Sequence, residues 1–201
     1  MIRLRKRQKM KLYKLVEKIH NFKIKIIWKS MKKDFKGIGI NVFASDIPSI
    51  IGYKNIKFGN NVFLGKDVRL EAWEKYNEQL FSPEIVIHDN VILTERVYLS
   101  AINKIEVGSG CLIGRDVFIT DNSHGSSFAE CLDTAPALRP LLTKGPVLIG
   151  KNVWIGRQVT ILSGVSIGDN CIIGANSVVN RSFPQNCLIA GSPAHIIKTL
   201  K

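Results

Sequence analysis

The sequence predicts an all-β fold, a left-handed parallel β-helix wound from six-residue repeats, with a basic N-terminal segment before it and a short C-terminal tail after it. Three observations carry this. Aliphatic residues stand at Ile149, Ile155, Ile161, Ile167, Ile173 and Val179, six positions in an unbroken step of six. Glycine follows at Gly150, Gly156, Gly168 and Gly174, while Val153, Val159, Val165, Cys171 and Ser177 put a small or modest side chain in the fifth place. The same register recurs upstream at Phe58, Leu64 and Leu70, at Ile87, Leu93 and Leu99, and at Val107, Ile113 and Ile119.

A step of six does not fit an α-helix, whose apolar face recurs every 3.6 residues. It fits a chain that turns at each repeat, so that three short strands close a triangular coil with the aliphatic residue inward. Glycine is expected to ease the corners, where φ is often positive. The coils would stack at about 4.8 Å, the ordinary spacing between strands. Regular coil is expected from about Ile50 to Asn180.

The phase breaks three times. Residues 71–84 (EAWEKYNEQLFSPE) stand in place of about two repeats, two extra residues enter between Leu99 and Val107, and residues 121–146 make a long excursion. A packed solenoid interior has no space for such additions, so they are expected to leave as loops from the corners.

The net charge of +13 belongs almost wholly to one end. Residues 1–36 hold 14 of the 29 Lys and Arg against two acids, Glu17 and Asp34, a balance of +12 that leaves +1 for the rest. A nearly neutral main domain over 37–201 argues against nucleic acid as its partner. Within the basic segment Leu12, Leu15, Ile19, Phe22 and Ile26 are spaced for one face of a helix, although FKIKI alternates like a strand. Such a segment suits two roles equally, a cap on the open end of the solenoid or a peripheral contact with an anionic inner-membrane surface. Its longest apolar run, Ile26 to Trp28, is too short for a membrane span or a signal sequence. Four cysteines, Cys111, Cys131, Cys171 and Cys187, lack CxxC spacing and fit a reducing, cytoplasmic compartment.

The stretch Gly145 to Lys198, with IGKNVWIG, IGANSVV and AGSPA in that order, resembles the hexapeptide-repeat acyltransferases, in particular the maltose, galactoside and exopolysaccharide O-acetyltransferase branch. The likeness covers most of residues 50–201 and excludes the basic segment. It implies a homotrimer of parallel prisms, with acetyl-CoA as acyl donor lying between neighbouring subunits and a catalytic histidine on a long loop. His124, in ITDNSHG, matches that motif. Chemistry gives it the same role independently, because a sugar hydroxyl needs a base as it attacks a thioester carbonyl, and neutral imidazole serves. The expected reaction is direct transfer in a ternary complex, with backbone N–H groups on the oxyanion and CoA leaving as thiolate.

The resemblance also implies cofactor contacts. Trp154 would flank the acetyl-CoA channel, Gly156 and Ala175 would let pantetheine approach the backbone, and Arg157 would face the same groove. Asn180 and Arg181 would lie near the adenine end and Lys198 near the 3′-phosphate, chemistry that suits Arg and Lys. Where the branch often has Asn ahead of the histidine-bearing coils, this chain reads VYLSAIN, so Ser100 or Asn103 would hold the acceptor. Asp121 either orients His124 or caps the strand end. No metal is expected, since a γ-type carbonic anhydrase built on the same coil needs three histidines and only His88 and His124 lie within it. An O-acetyltransferase of a bacterial surface polysaccharide or its precursor is the leading reading. An N-acetyltransferase of a nucleotide-linked amino sugar, a drug-modifying enzyme and a non-catalytic scaffold remain open beside it.

Overall fold

The computed structural model describes residues 6–125 and 132–200. Cys131 and part of the 121–146 excursion lie outside the described residues. The chain forms a left-handed parallel β-helix of triangular section whose three faces are parallel sheets. The first face stacks Gly37–Ile38, Ile56–Phe58, Glu84–Ile87, Lys104–Val107, Val147–Ile149 and Ser166–Ile167. The second runs from Phe43–Ala44 through Leu112–Ile113 and Trp154–Ile155 to Cys187–Gly191, and the third from Ser49–Ile51 through Tyr98–Ala101 and Phe118–Thr120 to Val178–Val179. Coil therefore begins about a dozen residues before Ile50. Ile38, Ala44 and Ile50 keep the six-residue step there, but polar neighbours and missing glycines hide it.

Register explains the period. Ile87, Val107, Ile149 and Ile167 lie level on the first face, so every sixth side chain of a coil lands above its counterpart in the next. Phe58, Leu64, Leu70, Leu93, Leu99, Ile113, Ile119 and Ile155 are all at most 1% exposed. Each such side chain contributes about 1.5–3 kcal/mol by leaving water. The fifth-place residues Val153, Val159, Val165, Cys171 and Ser177 are also buried and fill the corners from inside.

Positive φ does not fall on the repeat glycines. It falls two residues later, at Asn152, Gln158, Asn170 and Asn176, with φ of 55°, 56°, 59° and 61°. Asparagine tolerates this conformation better than other side chains, and along one edge it forms ladders: Asn41 Nδ2 donates to Asn61 at 3.0 Å and Asn61 to Asn90 at 3.0 Å. The glycines serve a different need. A Cβ on Gly156 would lie 2.7 Å from Ala175 N and 2.8 Å from Ile173 O, so the missing side chain lets one coil seat on the next.

The interruptions are additions rather than replacements, since Ile56–Phe58 pairs directly with Glu84–Ile87 and no coil face is lost across residues 71–84. That segment projects a hairpin, Lys75–Tyr76 against Gln79–Leu80. The break between Leu99 and Val107 and the 121–146 excursion leave from the same corner, between the third and first faces. One edge of the prism thus carries every large loop.

α1, Lys6–Met31, stands at the N-terminal end. Trp28 and Phe35 close the first coil, with the Trp28 indole N–H donating to Val42 O at 3.0 Å and the Phe35 ring 5.1 Å from both Tyr53 and Phe58. The Leu12, Leu15, Ile19, Phe22 and Ile26 stripe is not part of this cap. At 100° per residue it lies on the side of the helix away from Ile24 and Trp28, and its members are 48–66% exposed. At the other end Ala194–Thr199 pairs antiparallel with Cys187–Gly191 and finishes the second face, so the tail is a strand.

Cys111, Cys171 and Cys187 are buried free thiols, and burial pushes the pKa of the Cys111 thiol up to about 11. Its thiolate is therefore scarce at neutral pH, which removes it as a nucleophile. Iodoacetamide should leave Cys111 unmodified in the folded chain and label it after denaturation, as peptide mapping would show. The raised value also means that the stabilisation from the buried neutral thiol is complete below about 9 and is lost as pH rises through about 11.

Candidate active site

The loop-bearing corner assembles a site around His124. Ser123–His124 leaves the third face and pairs antiparallel with Leu141–Leu142, and Gly125 N donates to Pro140 O at 2.7 Å. The two feet of the excursion are pinned by Ser163 of the next coil, whose hydroxyl donates to Asp121 O at 2.6 Å and accepts from Lys144 N at 2.7 Å. Leu141 is held from the other side, since the Gln79 side chain accepts from Leu141 N at 2.7 Å and donates to Leu141 O at 3.2 Å. A side-chain amide of the 71–84 hairpin thus extends the short ribbon that carries His124.

The same hairpin supplies the neighbour of the imidazole. Tyr76 Oη lies 3.3 Å from His124 Nδ1, with the two rings edge to face at 5.2 Å, and the phenol donates to Ala137 O at 2.6 Å. The imidazole stays exposed on its other side.

Asp121 does not orient His124. Its carboxylate is fully buried and accepts from Ile102 N and Asn103 N, each at 2.8 Å, so it ties together the loop-bearing corners of two stacked coils. That burial also removes it as an acceptor contact in the isolated chain. Ser100 is 6% exposed beneath Asn122, whose amide donates to Ser100 O at 3.1 Å, whereas Asn103 is half-buried at the corner. Beside Ser123 a cleft of about 130 Å³ is lined by Asn122, Lys144, Leu162, Ser163 and Asn180. Asn180 also borders a second cleft of about 290 Å³ with Arg181, Pro193 and His195, so the two clefts adjoin at Asn180.

The remaining expected cofactor contacts lie elsewhere on the chain. Trp154, 53% exposed, points out from the second face, Gly156, Arg157 and Ala175 mark the corner between second and third faces, and Lys198 lies on the final strand. One chain brings His124, Asn180 and Arg181 to one edge and the others to the second face and the edge that follows it. Among the described residues no group of three or more His, Cys, Asp or Glu is placed to hold a metal ion. His88 bonds Glu106 at 2.7 Å on the surface.

Sequence reading missed Tyr76, Gln79 and Ser163. A signal for the first two was present, because every break follows the third aliphatic residue of a triplet, Leu70, Leu99 or Ile119, which puts all three loops on one edge.

Comparison with known proteins agrees with this architecture. Residues 146–181 match the bacterial transferase hexapeptide model of six repeats. WbbJ of Escherichia coli K12, described as a lipopolysaccharide biosynthesis O-acetyl transferase, is 39% identical over 147 residues, covering 72% of this chain and 71% of that protein. The N-acyltransferase AntD of Bacillus cereus, solved as a point mutant with dTDP-4-amino-4,6-dideoxyglucose and coenzyme A, superposes with a TM-score of 0.69 at 23% identity over 86% of this chain and 88% of that one. The hexapeptide-repeat acetyltransferase VCA0836 of Vibrio cholerae, solved with acetyl coenzyme A, gives 0.60 at 23% identity over 87% and 76%. At such identities the two structures speak to the fold alone, and it is the extent of the match to WbbJ that decides kinship. The chain belongs to the bacterial hexapeptide-repeat transferase family.

Proposed function

We propose that the chain is an acetyl-CoA-dependent O-acetyltransferase that modifies a sugar hydroxyl of a bacterial surface polysaccharide or its precursor. The observation that carries this is the 39% identity to WbbJ over 72% of the chain. The exposed imidazole of His124, on a doubly braced ribbon, supports its role as general base. Acting on a bound hydroxyl, it takes the proton as the oxygen attacks the thioester carbonyl; the tetrahedral intermediate then collapses and CoA leaves as thiolate.

The acyl donor would run past the two clefts at Asn180 and Arg181, meeting Trp154, Gly156, Arg157, Ala175 and Lys198 from another copy. Their separation from His124, Asn180 and Arg181 on one chain supports a homotrimer in which each site is completed between subunits. Ser100 and Asn103 are the proposed acceptor contacts, Asn103 being the more accessible. The catalytic domain is taken as residues 37–201, with residues 1–36 appended. The test is mass spectrometry of products formed from acetyl-CoA with hydroxyl-bearing and amino-sugar acceptors. Acetyl on hydroxyls is expected, and acetyl confined to amines would overturn O-transfer in favour of N-transfer.

Residues 1–36 support a peripheral position on the cytoplasmic face of an anionic membrane. α1 carries nine Lys and Arg against Glu17, beside an apolar stripe that nothing among the described residues covers. Among the described residues no helix is long and apolar enough to cross a membrane. Each basic residue near such a surface contributes about 1 kcal/mol, and the contribution fades with salt. The full chain should sediment with vesicles containing phosphatidylglycerol but not with phosphatidylcholine alone, and Leu15→Ser with Phe22→Ser should weaken this. Equal sedimentation with both vesicles would contradict it.

A further inference from the structure

We infer that Tyr76 is a positioning residue that fixes His124 as its Nδ1–H tautomer, leaving the unprotonated Nε2 to act as the base. The inference rests on His124 being the base, and it specifies which nitrogen does the work and what sets it.

The phenol of Tyr76 has one proton, and its shorter bond, 2.6 Å, runs to Ala137 O. A backbone carbonyl only accepts, so the phenol proton is committed there. What Tyr76 Oη offers His124 Nδ1, 3.3 Å away, is therefore a lone pair. The contact is a hydrogen bond only if Nδ1 carries the proton, and in neutral imidazole the other nitrogen is then bare. The alternative tautomer would set two lone pairs against each other at Nδ1.

Free histidine in water prefers the opposite, Nε2–H form, so the protein has to supply the bias. Tyr76 is well placed to do so because its own position is fixed twice. The hairpin that carries it pairs Tyr76 with Gln79, and Gln79 in turn bonds both backbone groups of Leu141, the residue paired with His124. The Asn77 amide also reaches Ala137 O at 3.5 Å. The hairpin thus grips the His124 ribbon and the 136–138 turn together. Edge-to-face contact of the two rings restricts rotation of the imidazole about its own axis.

The buried carboxylate that sequence spacing offers for this purpose, Asp121, is engaged by backbone amides on the other side of the strand end. Among the described residues it is the Tyr76 phenol that meets His124 Nδ1 instead.

The test uses the full chain labelled with 15N-histidine. The imidazole nitrogen shifts report which nitrogen is protonated, and the His124 signals are assigned by their loss in His124→Gln. Wild type should show His124 protonated at Nδ1 at a pH where the ring is neutral. In Tyr76→Phe the population should move toward Nε2–H, with kcat falling about 10- to 100-fold and the KM for acetyl-CoA within about twofold of wild type. Gln79→Ala separates this from mere bracing. It loosens the ribbon but keeps the phenol, so it should leave the tautomer at Nδ1–H whatever it does to rates. A wild-type chain with His124 protonated at Nε2, or a Tyr76→Phe chain that keeps both the Nδ1–H tautomer and wild-type kcat, would overturn the inference. The spectra do not depend on turnover, so a wrong assignment of the reaction and a wrong assignment of Tyr76 give different results.

Discussion

Replacing His124 with alanine is expected to lower kcat by about 10²- to 10⁴-fold, the range for loss of a positioned general base. The imidazole is exposed, and among the described residues its one side-chain hydrogen bond is the long one to Tyr76. Removing it leaves the coil stack intact, so thermal unfolding should shift by no more than about 0.5 kcal/mol. Steady-state kinetics with acetyl-CoA and an active acceptor, beside a melting curve, checks both halves. A variant that retains wild-type turnover would show that the loop-bearing edge is not where the chemistry happens. A variant that unfolds would show that His124 is part of the frame.

The second large effect is on stability and separates two positions of the same repeat. Gly156→Val should destabilise the chain by about 3 kcal/mol, because the added Cβ meets the backbone of the next coil at Ala175 N and Ile173 O, which cannot rotate away. Gln158, two residues on, sits at φ of 56°. Gln158→Gly should be neutral within about 1 kcal/mol, since relief of left-handed strain offsets the entropy that glycine loses on folding. Chemical denaturation of both variants measures the difference. If Gly156→Val were tolerated while Gln158→Gly stabilised strongly, the corner would be limited by φ and not by coil-to-coil approach.

That pair of positions also shows where sequence reading succeeds and where it does not. The inward rows are legible because one residue type recurs at one spacing, and burial of Leu64, Leu99, Ile119 and Ile155 follows from it. The role of glycine is not, although the residues that adopt positive φ, mostly asparagine and aspartate, recur in the same period. Local conformation and close approach leave the same mark in a sequence, and only the stacking of one coil on another tells them apart. The first coil is hidden because Ile38, Ala44 and Ile50 have no repeat glycines beside most of their strands.

The site is legible in part. His124 can be found from the break that precedes it and from the chemistry a hydroxyl acceptor requires. Asp121 lies close in sequence and invites a role that its burial assigns to the frame. Tyr76, the true neighbour of the imidazole, is 48 residues away, and its contact depends on how far two loops reach from a shared edge, which periodicity does not encode. The apolar stripe of α1 is visible at helical spacing. Which side of the helix packs is not, because Trp28 and Phe35 decide it through contacts with the first coil.

The most direct test of the account is transfer of radiolabelled acetyl from acetyl-CoA to a cell-envelope glycan by the wild-type chain and by His124→Ala side by side, with each product then exposed to mild alkali. Label delivered by the wild type, released by alkali as an ester is, and absent with His124→Ala is the result predicted. Label that resists alkali, or that the variant delivers as fast, would contradict it.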